Sequence, residues 1–461
     1  MKKSNHKVKK FYSHIIDNRS RPTFKEIVEK DLSGPPNCIL EESFDIIEDS
    51  NINKDCYSSQ EFHDLEVEKV WKKTWQFACR EEDIPQIGDY YTYRIVNLSV
   101  LIINTEKGYK AYHNSCLHRG TQLKPDNSWG NSKNLKCPFH GWTWNIDGEL
   151  IDLPCDWDFP HVDQDKTKLE EINIDTWGGF IFINFDNDAE LLSKYLSILP
   201  KHFEIWEMEK RKKIAHVAKV VPCNWKFAME AFLEGYHVAS THPQSLIYTG
   251  DENCQYDFWG DNVSRMMSAL GSPSPKLQNK KLSRTEILDG MRDFLVGNID
   301  VKEDDKITPR EILSESMKRS LTESTKVDHT NFSTSEIIDA IQYHVFPNFV
   351  PWAGYGVPIV YRFRPNANDP KTSIIDVILL QSDNNPIRDS NPDVNWLDVN
   401  DSWTKAKELG GLGEIFDQDE SAFAAGQKGI ECSKNNKITF SLYQESRIRF
   451  YHRTLEKYLS K

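Results

Sequence analysis

The sequence predicts an α+β protein built from two unlike parts. A strand-rich block spans residues 66–190, and the remainder, 191–461, mixes helices with strands. Two short loops, each offering one cysteine and one histidine, fall inside the strand-rich block. A chain of 461 residues has room for two or three domains with full cores. Hydrophobic residues at 38% and charged residues at 28% suit a globular protein. The net charge of −13 argues against nucleic acid and anionic membrane surfaces as partners. No apolar run approaches the ~20 residues that span a bilayer; Ser99–Ile103 and Val377–Leu380 read as strands. Met1–Lys10 is basic and polar without an apolar stretch, so it does not read as a secretory signal. Nine cysteines is an odd number, and the seven outside the two loops show no paired spacing, which suits a reducing cytoplasm.

The elements follow in order. Residues 1–65 are polar, are interrupted by Pro35-Pro36, and read as an arm and helix packing on the second part of the chain. That helix is expected near Phe62–Thr74. Asp89–Ile95, Ser99–Asn104, Gly148–Leu153 and Gly179–Phe185 alternate or run apolar between turn signals and read as strands. Asn224–Ser240 reads as a long helix. Ser283/Glu286, Thr308/Glu311 and Ser333/Glu336 have capping-box spacing, the second with Pro309 at the first helical position. Tyr355–Arg364 and Thr372–Gln381 read as strands, and Tyr443–Leu459 as a closing helix with Ile448, Tyr451, Leu455 and Leu459 on one face. The glycines at 410, 411 and 413 are not followed by a phosphate-binding helix signature, so no nucleotide site is expected.

The two loops are Cys116-Leu117-His118-Arg119-Gly120 and Cys137-Pro138-Phe139-His140-Gly141-Trp142. Two thiolates and two imidazoles suit a [2Fe–2S] centre with both cysteines on one iron and both histidines on the other. Neutral imidazoles raise the reduction potential to roughly −150 to +300 mV, against about −400 mV for an all-cysteine plant cluster. Structural zinc also takes two Cys and two His, but small zinc modules usually write them as a Cys pair and a His pair. The spacing resembles the Rieske signature. Membrane-complex Rieske proteins carry an extra cysteine in each loop; here Thr121 and Phe139 stand there, so no disulfide staple forms. The loops resemble those of the Rieske ring-hydroxylating oxygenases and their ferredoxins.

A second stretch, Asn224-Trp225-Lys226 through Glu234, His237 and His242-Pro243, offers two histidines near carboxylates. Two His and one carboxylate with open positions suit a non-haem Fe(II) site. His237 and His242 are five apart, roughly 140° around a regular helix, so they share an ion only where the helix bulges or ends. Pro243 disfavours helical geometry at His242, and Ser240-Thr241 supports a local irregularity. Glu234 and His237, three apart, share a face.

The stretch resembles the catalytic helix of Rieske oxygenase α subunits, and the resemblance runs from about Tyr57 to Tyr458, including Phe346-Pro347-Asn348. It implies that Cys116, His118, Cys137 and His140 hold the cluster and that His237 and His242 bind mononuclear Fe(II). It implies that Glu234 bridges to His140 or His118 of an adjacent subunit; the family usually has Asp there, with Glu in a minority that includes oxygenases of quaternary amines. The carboxylate ligand is expected after the Gly-rich turn, where Asp419 aligns best and Asp417 and Glu420 are alternatives. The same acids also suit an ordinary helix start.

The implied fold is a small antiparallel β Rieske domain (66–190) and a catalytic domain (191–461) with a curved antiparallel sheet covered by helices, of helix-grip or START-like type. The implied activity is that of a terminal oxygenase in aromatic hydrocarbon catabolism, inserting oxygen from O2 into an aromatic or otherwise apolar substrate. The alternative is a monooxygenase or demethylase of a quaternary amine. No flavin or nicotinamide signature is present, so an NAD(P)H-dependent reductase must supply electrons, directly or through a ferredoxin. A cytoplasmic homotrimer is expected, with or without a small β subunit. Trp352, Phe349, Phe346 and Phe232 are candidates for an apolar pocket wall, and residues 271–335 for a lid or a surface insertion. An electron carrier without oxygen chemistry and a zinc-stabilised binding module are the other readings; one iron centre instead of two, or a colourless protein, would favour them.

Overall fold

The structure, a computed structural model, describes residues 21–48, 52–277, 279–292, 307–382 and 391–461. Two large sheets organise these residues. The first has seven strands in the order Gln76–Arg80, Phe180–Asn184, Glu171–Trp177, Gly108–His113, Leu98–Thr105, Asp89–Ile95, Trp129–Asn131, all antiparallel. Tight turns set its registers. Gly178 and Gly179, with φ of 60° and 78°, join Glu171–Trp177 to Phe180–Asn184, and two successive positive φ values favour glycine. A three-stranded sheet (Asn134–Lys136, Thr143–Asn145, Leu150–Asp152) packs beside it, and Leu101, Ile103, Tyr112, Leu135 and Trp144 form their common core. Both Cys/His loops rise from this core.

The second sheet has eight strands in the order Gln255–Trp259, Val263–Ser268, Ala340–Val345, Phe349–Ala353, Ile359–Asn366, Asp369–Ser382, Arg211–Val221, Asn395–Leu397. Its pairs are antiparallel except the last. Alternate residues divide between two cores. Ile359, Tyr361, Phe363, Ile375, Val377 and Leu379 meet Trp225, Phe416, Phe423, Ile448 and Leu455 of the covering helices. Val360, Ile378 and Leu380 face the other way, toward Phe77, Phe180, Phe182 and Trp206. Burial on both faces is why Val377–Leu380 reads as an unbroken apolar run rather than an alternating one.

Helices Trp225–Ala231, Leu412–Cys432 and Ser446–Leu459 cover the sheet. Gly426 permits close packing of the second: a Cβ there would lie 2.2 Å from the Phe227 ring. The segment before the first sheet, a helix Gln60–Glu66 continued by a π-helical turn Val67–Trp71, packs against the same assembly. Its Glu66 forms a fully buried ion pair of 2.7 Å with Lys226. Among the described residues no helix is long and apolar enough to cross a membrane.

All three capping boxes form, Thr308/Glu311 opening a 17-residue helix Pro309–Thr325. Three expected elements differ. Asn224–Ser240 is not one helix: it stops at Ala231 and resumes as Val238–Thr241. Between these, Gly235 packs so closely on the turn at 251–254 that a Cβ would lie 2.9 Å from Cys254 Sγ. The strand expected from Tyr355 starts at Ile359, because the Tyr355 N–H turns away to donate to the Glu336 carbonyl. The closing helix starts at Ser446, since the Tyr443 hydroxyl is held on the Cys254 carbonyl. Phe346-Pro347-Asn348 follows the end of strand Ala340–Val345, with a cis Phe346-Pro347 bond. Of 271–335, residues 278 and 293–306 lie outside the described residues; Met291 and Met317 from the rest reach the central cavity.

Candidate active site

The two Cys/His loops have the same backbone. In the first, the Cys116 N–H donates to the Thr121 carbonyl at 2.8 Å and the Gly120 N–H to the Cys116 carbonyl at 2.9 Å. In the second, the Cys137 N–H donates to the Trp142 carbonyl at 2.8 Å and the Gly141 N–H to the Cys137 carbonyl at 3.2 Å. Gly120 and Gly141 close the loops at φ 75° and 76°, which explains a glycine at the fifth place of each. The histidines leave the loops at different places, yet their rings meet with centroids 4.6 Å apart. Trp142 stacks on His118 at 5.2 Å with a 4° interplanar angle, and Phe159 stands edge-on to both rings, so the His118 plane is fixed.

These donors fit a two-iron cluster. Cys116 and Cys137 are buried side by side, and His118 Nδ1 is buried without a hydrogen-bond partner. Burial pushes the Cys116 thiol up to about 11, against the pull of the His118 and Arg119 N–H groups, so a bound cation is what would hold it as thiolate. Desolvation, then His140 and Arg119, holds His118 below the ordinary histidine value, in the neutral form that ligates metal. The loop tips face solvent: Phe139 is 58% exposed and Leu117 39%.

The second constellation lies where the catalytic helix breaks. Among the described residues, His237, His242 and Asp419 are the one set of three donors that could hold a single ion, all within 4.8 Å of one another. His242 Nε2 lies 2.9 Å and His237 Nε2 3.7 Å from Asp419 Oδ1. Donors about 2.1 Å from a first-row metal ion sit about 3 Å apart at right angles, so the set fits one ion. The helix break resolves the 140° problem: His237 precedes the short Val238–Thr241 helix and His242 ends it, and the two rings come within 5.2 Å. Asp419 projects inward from Leu412–Cys432. Asp417 and Glu420 do not reach the histidines. Asp417 accepts from the Trp403 N–H at 2.8 Å, and Glu420 binds Lys219 and the Trp403 indole.

Glu234 stands behind His237. Its Oε1 accepts from His237 Nδ1 at 2.7 Å, and its Oε2 accepts from the His237 N–H at 3.0 Å and from the Tyr236 N–H. Burial alone would lower His237, but Glu234 and then Asp419 overcome this and hold its imidazole above the ordinary value. Tyr236 beside it is 56% exposed.

Gln418 is a residue that motif reading passed over. Its Oε1 accepts from His242 Nδ1 at 2.7 Å and from Gln244 Nε2 at 2.9 Å. A ligating histidine almost always anchors its other ring nitrogen, so a polar side chain next to the ligand carboxylate was the available signal. Gln418→Leu should weaken iron binding roughly 10–100-fold without disturbing the cluster, and Gln418→Glu should preserve it, as read by chelator competition. Iron held by Gln418→Leu as tightly as by the parent would refute this orienting role.

A cavity of about 510 Å³ opens beside the triad, walled by Phe232, Met266, Met317, Trp352, Tyr361 and Phe416 among others. Of the four expected wall residues only Phe232 and Trp352 line it. Phe349 packs on Phe77, Phe180 and Phe182 between the sheets, and Phe346 on Tyr451 and Tyr458. Alternation along its strand sends Phe349 to the other core, whereas Phe346, just past the end of its strand, shares the core of Phe232 without reaching the cavity.

Comparisons with known proteins identify the family and the fold. Residues 74–163 match the family described as Rieske [2Fe-2S] domain, and residues 201–461 that described as ring hydroxylating alpha subunit (catalytic domain). The oxygenase subunit of glycine betaine monooxygenase from Pseudomonas aeruginosa is 30% identical over 195 residues, 41% of this chain and 44% of that protein. The alpha subunit of chlorobenzene dioxygenase from a Cupriavidus species is 32% identical over 203 residues, 42% of this chain and 44% of that protein. The chain thus spans about half the length of the curated relatives it matches. The solved structure of a quaternary ammonium Rieske monooxygenase superposes with a TM-score of 0.62 at 16% identity, covering 88% of this chain and 95% of that one. Because the catalytic-domain match takes in more than half of its residues, the chain belongs to the ring-hydroxylating oxygenase alpha-subunit family, which binds a Rieske cluster and a mononuclear iron.

Proposed function

We propose that this chain is the terminal oxygenase of a multicomponent system, inserting oxygen from O2 into a small organic substrate with an apolar body. The observation that carries the reading is the opening of the His237, His242 and Asp419 triad into the 510 Å³ cavity, in a chain that also holds the two Cys/His loops. We assign residues 66–190 to electron acceptance and 191–461 to catalysis. When bound, the cluster supplies single electrons and the iron supplies an O2-binding centre. Cys116, Cys137, His118 and His140 would hold the former, and His237, His242 and Asp419 the latter. Glu234 and Gln418 accept hydrogen bonds from the Nδ1–H groups of the two iron-binding histidines and so aim each Nε2 at the metal position. Phe232, Trp352, Tyr361, Met266 and Met317 hold the apolar part of the substrate and exclude water.

Electrons come from NAD(P)H through a separate reductase, directly or through a ferredoxin. The exposed Leu117, Phe139 and His140 of one subunit are assigned to the face near Tyr236 and Glu234 of the next, in a cytoplasmic homotrimer. Exposure of apolar side chains at both places supports this. In the test, holoenzyme with a surrogate reductase and isotope-labelled O2 should give labelled product. His118→Ala should lose the visible cluster spectrum and all labelled product while still loading the mononuclear iron. Unlabelled product, or labelled product from His118→Ala, would overturn the reading.

A further inference from the structure

A second, smaller cavity shares a wall with the substrate cavity: Gly356 and Pro358 line both. Its volume is about 60 Å³, roughly the share of two waters in the liquid. Arg211, at the start of its strand, and Ser382, its register partner at the end of the next strand, both line it. So do Leu321 and Thr325 from the helix Pro309–Thr325, and His329 and Tyr355. The described lining contains no carboxylate.

Arg211 is 2% exposed, yet no acid among the described residues pairs with it. Its Nη2 donates to the Gly354 carbonyl at 2.7 Å, and its guanidinium carbon lies 5.1 Å from the centre of the Tyr355 ring. Nε is sealed off without a partner; Nη1 is also unbonded but is not sealed, and the small cavity is the space that Arg211 lines. Arg265, Arg310 and Arg362, also buried, are each met by an acid: Asp257, Asp339 and Asp376. Arg447 has none but makes three hydrogen bonds, to Ser264, Leu233 and Gln342, against one for Arg211. Buried charges left uncompensated are costly. The acids nearby are engaged elsewhere, Glu207 with Lys210 and Glu336 with the Trp206 indole and Ser333. Burial lowers the Arg211 guanidinium to about 10, with Arg80 adding to this against the pull of Tyr355, so it stays charged at neutral pH. His329 is held below the ordinary histidine value by burial and is neutral there. The site thus carries a single positive charge.

We propose that this small cavity binds a monovalent oxyanion of formate or acetate size, with Arg211 as its counter-ion. The site involves neither metal centre and goes beyond the oxygenase reading. A charge-assisted hydrogen bond from the guanidinium holds the anion, and the volume excludes larger ligands. The occupant sits between the start of strand Arg211–Val221 and the end of the helix whose Met317 reaches the substrate cavity, so it braces that helix against the sheet.

Calorimetric titration of the metal-loaded protein with sodium formate, at constant ionic strength and without reductase, tests this apart from turnover. Formate should bind at least about tenfold tighter than formamide, its neutral isostere. Arg211→Gln should weaken formate binding by at least about tenfold, and Leu321→Trp, which fills the cavity and leaves the guanidinium in place, should do the same. Formate held by the mononuclear iron would persist in both variants, so the comparison separates the two sites. In crystals soaked in bromide, the anomalous signal should show an ion beside the Arg211 guanidinium. Equal binding of formate and formamide, formate binding undiminished in both variants, or bromide absent from Arg211 would each overturn the proposal. Should Arg211→Gln fail to fold, Leu321→Trp and the bromide position decide.

Discussion

Asp419→Ala should empty the mononuclear iron site and reduce oxygenation to background, while the cluster remains bound and reducible. The carboxylate supplies the one anionic donor of the set, and two neutral imidazoles without it hold Fe(II) poorly. Its Oδ1 lies 2.9 and 3.7 Å from the two Nε2 atoms, and the neighbouring acids Asp417 and Glu420 are held by Trp403 and Lys219, so neither replaces it. Asp417→Ala is the paired control. Asp417 caps the turn at Ser402–Lys405 through the Trp403 N–H and the Ser402 hydroxyl, so its loss should cost roughly 0.5–2 kcal/mol of stability and leave iron and activity in place. Metal analysis with electron paramagnetic resonance on both variants separates the outcomes. Iron lost from Asp417→Ala and kept by Asp419→Ala would move the ligand by two residues.

The second large effect is expected at Glu234. Glu234→Gln keeps a carbonyl oxygen to accept from His237 Nδ1 but loses the negative charge and the second acceptor, which takes the Tyr236 and His237 N–H groups. Both metals should stay bound. Turnover should fall by about two orders of magnitude or more, because a charge-assisted hydrogen bond in a water-poor site is replaced by a neutral one. The discriminating readout is reoxidation of the prereduced cluster in a single turnover with substrate and O2. Slow reoxidation with full iron content supports a link between centres, whereas lost iron with normal reoxidation would reduce Glu234 to a prop for His237. Reoxidation at the parent rate would remove the bridging role.

The site was more legible in the sequence than the sheet that carries it. Cys116, His118, Cys137 and His140 declare themselves because a metal loop needs its donors and glycines at fixed local offsets. Lys-bearing strand Arg211–Val221 gave no such signal. Lys213 and Lys219 occupy buried positions that alternation reserves for apolar residues, and their partners Asp83 and Glu420 come from distant segments. Val263–Ser268 hides likewise behind Arg265, whose partner Asp257 lies across the ladder. Asp376 binds two arginines, Arg362 and Arg364, which overcome its burial and hold its carboxyl well below the usual range. Interior charges of this kind are written in pairs, and one member read alone looks like surface. Asp419 was reachable only by resemblance, since three acids stand within four residues and their directions depend on where Trp403 and Lys219 sit.

The buried pair between Glu66 and Lys226 governs how this molecule can be divided. Glu66 ends a helix before the first sheet, and Lys226 begins the helix that leads to His237. A fragment starting near residue 200 would strand the Lys226 ammonium in an apolar interior, a penalty of about 3–5 kcal/mol and a large share of a typical domain's stability. Arg362 adds a second tie by donating to the Ala78 carbonyl at 2.6 Å, across from one sheet to the other. The two halves therefore behave as one mechanical body. The segment before the first sheet is thus part of the second half's interior, and the two halves come apart only by breaking both ties.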